Sequence, residues 1–176
     1  MRFCFAATLI ISVLAISGCA SQTQSGSSEN NVMTPANESS ATQSANQQSS
    51  SPYSGAVLAG KASPVIDFNP ADYQAALQSN KLIVLYFYAS WCPICRAEVP
   101  QMYSAFEELN NPNAIAFRVN FNDGQTDGSE IELARQFGVA YQHTKVFLRN
   151  GNQLLKSTES WDKNRYMFEI NKALSA

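Results

Sequence analysis

"KLIVLYFYASWCPICRAEVP", residues 81–100, is the stretch on which the fold turns. Its first half is continuously apolar and rich in branched and aromatic side chains, the pattern of a strand covered on both faces. Such a strand belongs at the centre of a sheet. The second half opens on Pro93, whose fixed φ and missing N–H suit a first helical position. Val99, Met102, Tyr103, Phe106 and Leu109 then recur at helical spacing until Asn110 and Pro112 end the pattern. Cys92 therefore falls at the helix N-cap and Cys95 one turn further on.

Working outward, "NPADYQAALQSN" (69–80) offers Asn69 as N-cap and Pro70 at the first position of a short helix. "AIAFRVNF" (114–121) reads as a second strand and "NDGQTDG" (122–128) as a polar loop. Ser129 and Glu132 form a capping-box signature for a helix carrying Ile131, Ala134 and Phe137. "KVFLRNGNQLLKST" (145–158) is two strands around Asn150-Gly151, the strongest short hairpin signal. Asp162 caps a closing helix through Met167, Ile170 and Leu174. The predicted order is helix, strand, helix, strand, helix, strand, strand, helix. Strands separated by helices pair in parallel through right-handed crossovers, and the terminal hairpin is antiparallel. The expected class is α/β, a central mixed sheet with helices on both faces.

The N-terminus predicts a compartment. "MRFCFAATLIISVLAISGC" (1–19) has one positive charge at Arg2, an apolar run from Phe3 to Ile16 and small residues closing on Cys19, a secretory signal. Ile16-Ser17-Gly18-Cys19 resembles the lipobox of bacterial lipoproteins, in which the signal is cut before an acylated cysteine. Cys4 lies in the removed segment. Residues 20–60 are dominated by Ser, Gln, Asn, Thr and Ala, with no Lys or Arg between Arg2 and Lys61; they have little to bury and are expected to be a disordered tether. That leaves 61–176 as one domain. The expected location is outside the cytoplasm, on a membrane, through a lipid on Cys19. The chain has 12 Lys and Arg against 14 Asp and Glu and no basic patch, which argues against nucleic acid as a partner. A monomer is expected.

The domain holds two cysteines, Cys92 and Cys95, and the chain's one histidine, His143. An oxidising space permits a structural disulfide. So short a loop, however, removes little entropy from the unfolded chain when it closes. At a strand–helix junction the first thiol meets unpaired backbone N–H groups and the positive end of the helix dipole, which favour a thiolate, while the second is partly shielded. The first attacks and the second resolves.

"YASWCPICRAEVP" (88–100) after an apolar strand, with "FLRNG" (147–151) about fifty residues later, resembles the thioredoxin family. The "WCxxCRAExP" form is most similar to its membrane-tethered, TlpA-like branch of extracytoplasmic thiol reductases. The resemblance covers Asp67 to Leu174 and implies the thioredoxin fold. It also implies a nucleophilic Cys92, a resolving Cys95, and no cofactor beyond the redox-active Cys92–Cys95 disulfide. Glu98 matches the branch's glutamate, which influences proton transfers at the thiols; the alternative is a solvated helix carboxylate. By the same resemblance Trp91, Pro93, Ile94 and Thr144 are expected to surround the site. Expected partners are protein disulfides or thiols and a membrane electron donor.

Two positions depart from the family. Its buried aspartate, six residues before the first cysteine, is Tyr86 here. Counting back from "FLRNG", its cis-proline falls on His143, and no proline follows Pro112. A cis bond before a non-proline residue costs about 2.5–4 kcal/mol, so the Gln142–His143 peptide is expected to be trans and the substrate loop to differ. A histidine facing two thiols opens an alternative to exchange, a copper-binding chaperone using Cys92, Cys95 and His143. Structural zinc lacks an evident fourth ligand. Within exchange, an imidazole in reach of Cys92 would favour its thiolate, which sets His143 beside Cys92, Cys95 and Glu98 as an expected catalytic residue; His143 can also be read as a loop residue stacked on Tyr141. No resident metal is expected at the exchange site.

Overall fold

Residues 51–176 are described in the computed structural model; the expectations for the signal segment, Cys19 and the tether through residue 50 lie outside them. In chain order the elements are β1 (Val57–Ala59), β2 (Val65–Asp67), α1 (Pro70–Leu77), β3 (Leu82–Tyr88), α2 (Pro93–Glu108), β4 (Ala114–Asn120), α3 (Gly128–Gln136), β5 (Thr144–Arg149), β6 (Asn152–Ser157) and α4 (Lys163–Leu174). They form one six-stranded sheet in the order β1-β2-β4-β3-β5-β6. The pairs β2–β4 and β3–β4 are parallel; β1–β2, β3–β5 and β5–β6 are antiparallel.

The apolar run 82–87 is fully buried because both of its faces are covered. Side chains alternate across a strand. Leu82, Val84 and Tyr86 pack with Met102, Ala105 and Phe106 of α2 and Tyr166 and Ile170 of α4. Ile83, Leu85 and Phe87 pack with Tyr73 and Ala76 of α1 and Leu133 and Ala134 of α3. Asn69 caps α1, accepting from the Ala71 N–H, and Asp162 caps α4, accepting from the Arg165 N–H. The β5–β6 turn carries positive φ at Asn150 and Gly151, the two-residue geometry that matches strand twist.

Three expectations are corrected. The sheet begins at Val57, inside the stretch assigned to the tether through residue 60, so the boundary at residue 61 comes too late. Strands β1 and β2 were not expected, since three residues are too few to establish an alternation. Between them Gly60 has φ +75°, and a Cβ there would stand 2.1 Å from the Ser63 carbonyl oxygen. Finally, the α3 capping box is Asp127 with Glu130, not Ser129 with Glu132. Asp127 Oδ1 accepts from the Ser129 and Glu130 amides and from the Ser129 hydroxyl, so Ser129 serves the cap instead of being it. Leu133 and Ala134 face the core, and Ile131 is half exposed.

Candidate active site

Strand β3 ends at Tyr88, and the chain reaches α2 through Ala89–Cys92. Cys92 is the N-cap, with extended backbone, and its Sγ accepts from the Cys95 N–H at 3.1 Å. One of the helix's otherwise unpaired amides is thus spent on the sulfur. Pro93 takes the next position, as its ring allows. Trp91 Nε1 donates to the Asn122 carbonyl at 2.9 Å and the Ser90 N–H donates to Asp123 at 2.9 Å, fixing the approach to the helix on the β4–α3 loop. Both cysteines are free thiols and buried, while Trp91 and Ile94 beside them are about half exposed. Exposed aromatic and aliphatic side chains next to two shielded sulfurs make a surface that can take an apolar partner and bring it to the thiols.

The second wall comes from the loop before β5. His143 stands at φ +55°, held by its N–H donating to the Phe87 carbonyl at 2.7 Å. No peptide among the described residues is cis, as expected for Gln142–His143. The Thr144 hydroxyl, buried, donates to the Tyr141 carbonyl at 2.6 Å and closes the turn. One ligating atom from each of Cys92, Cys95 and His143 lies within 4.8 Å of the others. These three residues are the ones that could hold a metal here.

Beneath the thiols lies a buried polar layer. The core-facing positions of α2 are Cys95, Glu98, Met102, Ala105 and Phe106, so helical spacing carries Glu98 inward behind Cys95. Glu98 is not a solvated carboxylate. Its Oε1 accepts from Lys145 Nζ at 2.7 Å and from the Tyr166 hydroxyl at 2.7 Å, and its Oε2 from the Tyr86 hydroxyl at 3.4 Å. Lys145 also donates to the Glu159 carbonyl and lies over the Trp161 ring, 5.0 Å from its centroid. A buried charge needs partners of this kind.

Burial pushes the Cys95 thiol up, to about 11, with a further rise from the neighbouring Cys92; the Tyr86 hydroxyl pulls the other way. Burial lowers Lys145, against the raising influence of Glu98. The same desolvation, aided by Glu98, raises both Tyr86 and Tyr166. A cleft of about 530 Å³ lined by Ala97, Gln101, Trp161, Asp162 and Arg165 reaches Glu98 from between α2 and the start of α4.

Residues 64–172 match the family model described as Thioredoxin. The chain belongs to the thioredoxin family. It is 38% identical over 76 residues to Thioredoxin H4 of Arabidopsis thaliana, spanning 43% of this chain and 58% of that one. It is 31% identical over 90 residues to Protein disulfide-isomerase of Gallus gallus, spanning 51% of this chain and 16% of that one. Among solved structures, Trxlp from Edwardsiella tarda EIB202 superposes with a TM-score of 0.50 at 25% identity, covering 59% of this chain and 96% of that one. The chain thus spans little more than half of the first of these curated relatives and a sixth of the second.

In this thioredoxin-family chain the structure gathers Cys92, Cys95, Glu98 and His143 at one end of β3, with Trp91, Pro93 and Ile94 at the rim and Thr144 at the head of β5. Lys145, Tyr166 and Trp161 escaped the sequence reading. Lys145 left one usable signal. Strand β5 reads Thr-Lys-Val-Phe-Leu-Arg, and alternation puts Lys145 with Phe147 on a core face, where a lysine requires a buried anion.

Proposed function

We propose that the chain is a thiol–disulfide oxidoreductase of the TlpA-like kind, a reductase or redox relay for protein disulfides. It would act outside the cytoplasm, anchored to a membrane by a lipid on Cys19 and kept reduced by a membrane electron donor. The observation that carries the exchange reading is the pair of free thiols at the start of α2, with the Cys95 amide donating to Cys92 Sγ. The thioredoxin and protein disulfide-isomerase relatives support it.

In the forward direction Cys92 attacks a substrate disulfide, forming a mixed disulfide and releasing one substrate thiolate, which takes a proton. Cys95 then loses its proton and attacks Cys92 Sγ, releasing the second substrate thiolate and closing Cys92–Cys95. Two electrons pass to the substrate, and a donor returns them. In this reading Tyr86, which donates to Glu98 and lowers the Cys95 thiol, would link that carboxylate to the Cys95 proton. No cofactor takes part in these steps.

Equilibration against glutathione with insulin reduction alongside tests this reading. A potential near thioredoxin's, about −270 mV, with active reduction supports a reductase, and one near −120 mV an oxidant. Failure to form Cys92–Cys95 or to exchange with any disulfide overturns it. Cys19→Ser should release the protein from membranes or leave it unprocessed, and unchanged fractionation would overturn the anchor.

A further inference from the structure

Disulfide exchange makes and breaks bonds at two sulfurs and needs no bond to a third soft donor. Yet Cys92, Cys95 and His143 bring three ligating atoms within 4.8 Å of one another at a shielded place. Nδ1 of His143 is buried and without a hydrogen-bond partner among the described residues. A neutral imidazole ordinarily has one nitrogen donating and the other accepting, so a buried nitrogen with no partner is an exception that calls for an occupant. The backbone supports the same conclusion. His143 holds a left-handed conformation, locked by its N–H to the Phe87 carbonyl, and a strained position of this kind beside reactive groups is a sign of function.

We propose that the reduced dithiol and His143 form a binding site for a single soft, monovalent d10 cation, Cu(I), with two sulfur ligands and one nitrogen. Thiolate and imidazole are the donors such an ion prefers, and three of them complete a trigonal set. Zinc is the poorer match, because it asks for a fourth ligand, and the three-donor group has none among the described residues. Glu98 does not fill that place: Lys145 and Tyr166 already occupy its Oε1, and it lies on the inner side of Cys95.

Binding at this site moves no electrons. The two thiols release their protons to solvent, the imidazole contributes a lone pair, and copper enters and remains as Cu(I). Closing the Cys92–Cys95 disulfide consumes both sulfur ligands. The site therefore exists only in the dithiol state, and copper and disulfide exchange exclude one another. A Cu(I)-loaded chain cannot attack a disulfide, and an oxidised chain cannot hold the ion.

The proposal goes beyond exchange and shares its sulfurs, so its test reads metal binding directly. Anaerobic titration with Cu(I) against a competing chromophoric Cu(I) chelator is run on the full chain in reduced and oxidised forms. The same titration is run on His143→Asn, His143→Ala and Cys95→Ser. Asparagine tolerates the left-handed backbone, so His143→Asn removes the ligand while keeping the loop, with circular dichroism to check folding. The reduced protein should take up one Cu(I) per chain and the oxidised protein none. Both His143 variants should bind at least roughly 10–100-fold more weakly, the loss ordinarily seen when even a ligand's supporting partner is removed. X-ray absorption of the loaded protein should show two sulfur neighbours and one nitrogen. Equal affinity in wild type and His143→Asn, or copper shared between two chains through sulfur alone, overturns the site. No Cu(I) uptake with active insulin reduction sinks this inference and leaves the proposed function standing. Tight uptake without any exchange does the reverse.

Discussion

Lys145 Nζ lies 2.7 Å from Glu98 Oε1, and both side chains are fully buried behind Cys95. The register of the sheet explains how they meet. Lys145 stands directly opposite Tyr86 in the antiparallel β3–β5 pair, so both project to the side covered by α2, where Glu98 follows Cys95 by one turn. Each group makes the other tolerable: an ammonium and a carboxylate removed from water separately would each cost several kcal/mol.

Removing one partner should therefore be severe. Lys145→Met leaves the Glu98 carboxylate buried without its cation and is expected to cost about 3–5 kcal/mol in urea unfolding. Glu98→Gln together with Lys145→Met should cost clearly less than the sum of the single changes. A coupling energy near zero in that cycle would show that the two side chains do not depend on each other.

Tyr86→Phe removes the hydroxyl that donates to Glu98 Oε2 and holds the Cys95 thiol down, while keeping the ring. The Cys95 thiol should rise further, and the mixed disulfide on Cys92 should resolve more slowly, by up to about tenfold near neutral pH, since 1.4 kcal/mol is a factor of ten. Rapid-mixing kinetics with a model disulfide measure this step. An unchanged resolution rate would remove Tyr86 from the proton path.

Cys95 also sets a pH dependence on the stability of the reduced protein. Its thiol titrates at 9.0 in a model peptide and about 11 in the fold, so the folded chain keeps a proton that the unfolded chain loses. Below pH 9 the stabilising contribution is fully present; as pH rises from 9 through 11 it is lost, amounting to about 2–3 kcal/mol. Tyr86 and Tyr166, both raised, add losses of the same sign above pH 10. Unfolding free energies across this range should fall less steeply for Cys95→Ala than for the reduced wild type, and parallel curves would refute the assignment.

Gly60→Ala tests where the domain begins. A Cβ at φ +75° against the Ser63 carbonyl oxygen should cost roughly 1–3 kcal/mol and free β1 from β2. Faster amide exchange at Asp67, whose N–H donates to the Ala56 carbonyl, would report that release. A neutral substitution would mean that β1 contributes nothing and that the domain does start near residue 61.

The sequence by itself determined the elements with strong local signals. Strand β3 is an unbroken apolar run, α2 has a proline start and a helical stripe, the β5–β6 hairpin has Asn-Gly at its turn, and the Cys-x-x-Cys pair sits at a strand–helix junction; each is specified by neighbours within one or two turns. These signals were sufficient to place Cys92 at the N-cap. Tertiary structure alone decided what faces the thiols and what lies beneath them. Strand β2 is held by β4, about fifty residues away, and β1 pairs in turn on the edge that β2 offers. The burial of Glu98 follows from α2 lying against β3, and its pairing with Lys145, 47 residues away, from the β3–β5 register. His143, at φ +55°, donates its N–H to the end of β3, and its imidazole lies beside the two sulfurs. Such meetings are invisible to local pattern because they depend on which face each element presents to the others, and packing settles that only when the sheet and its helices come together.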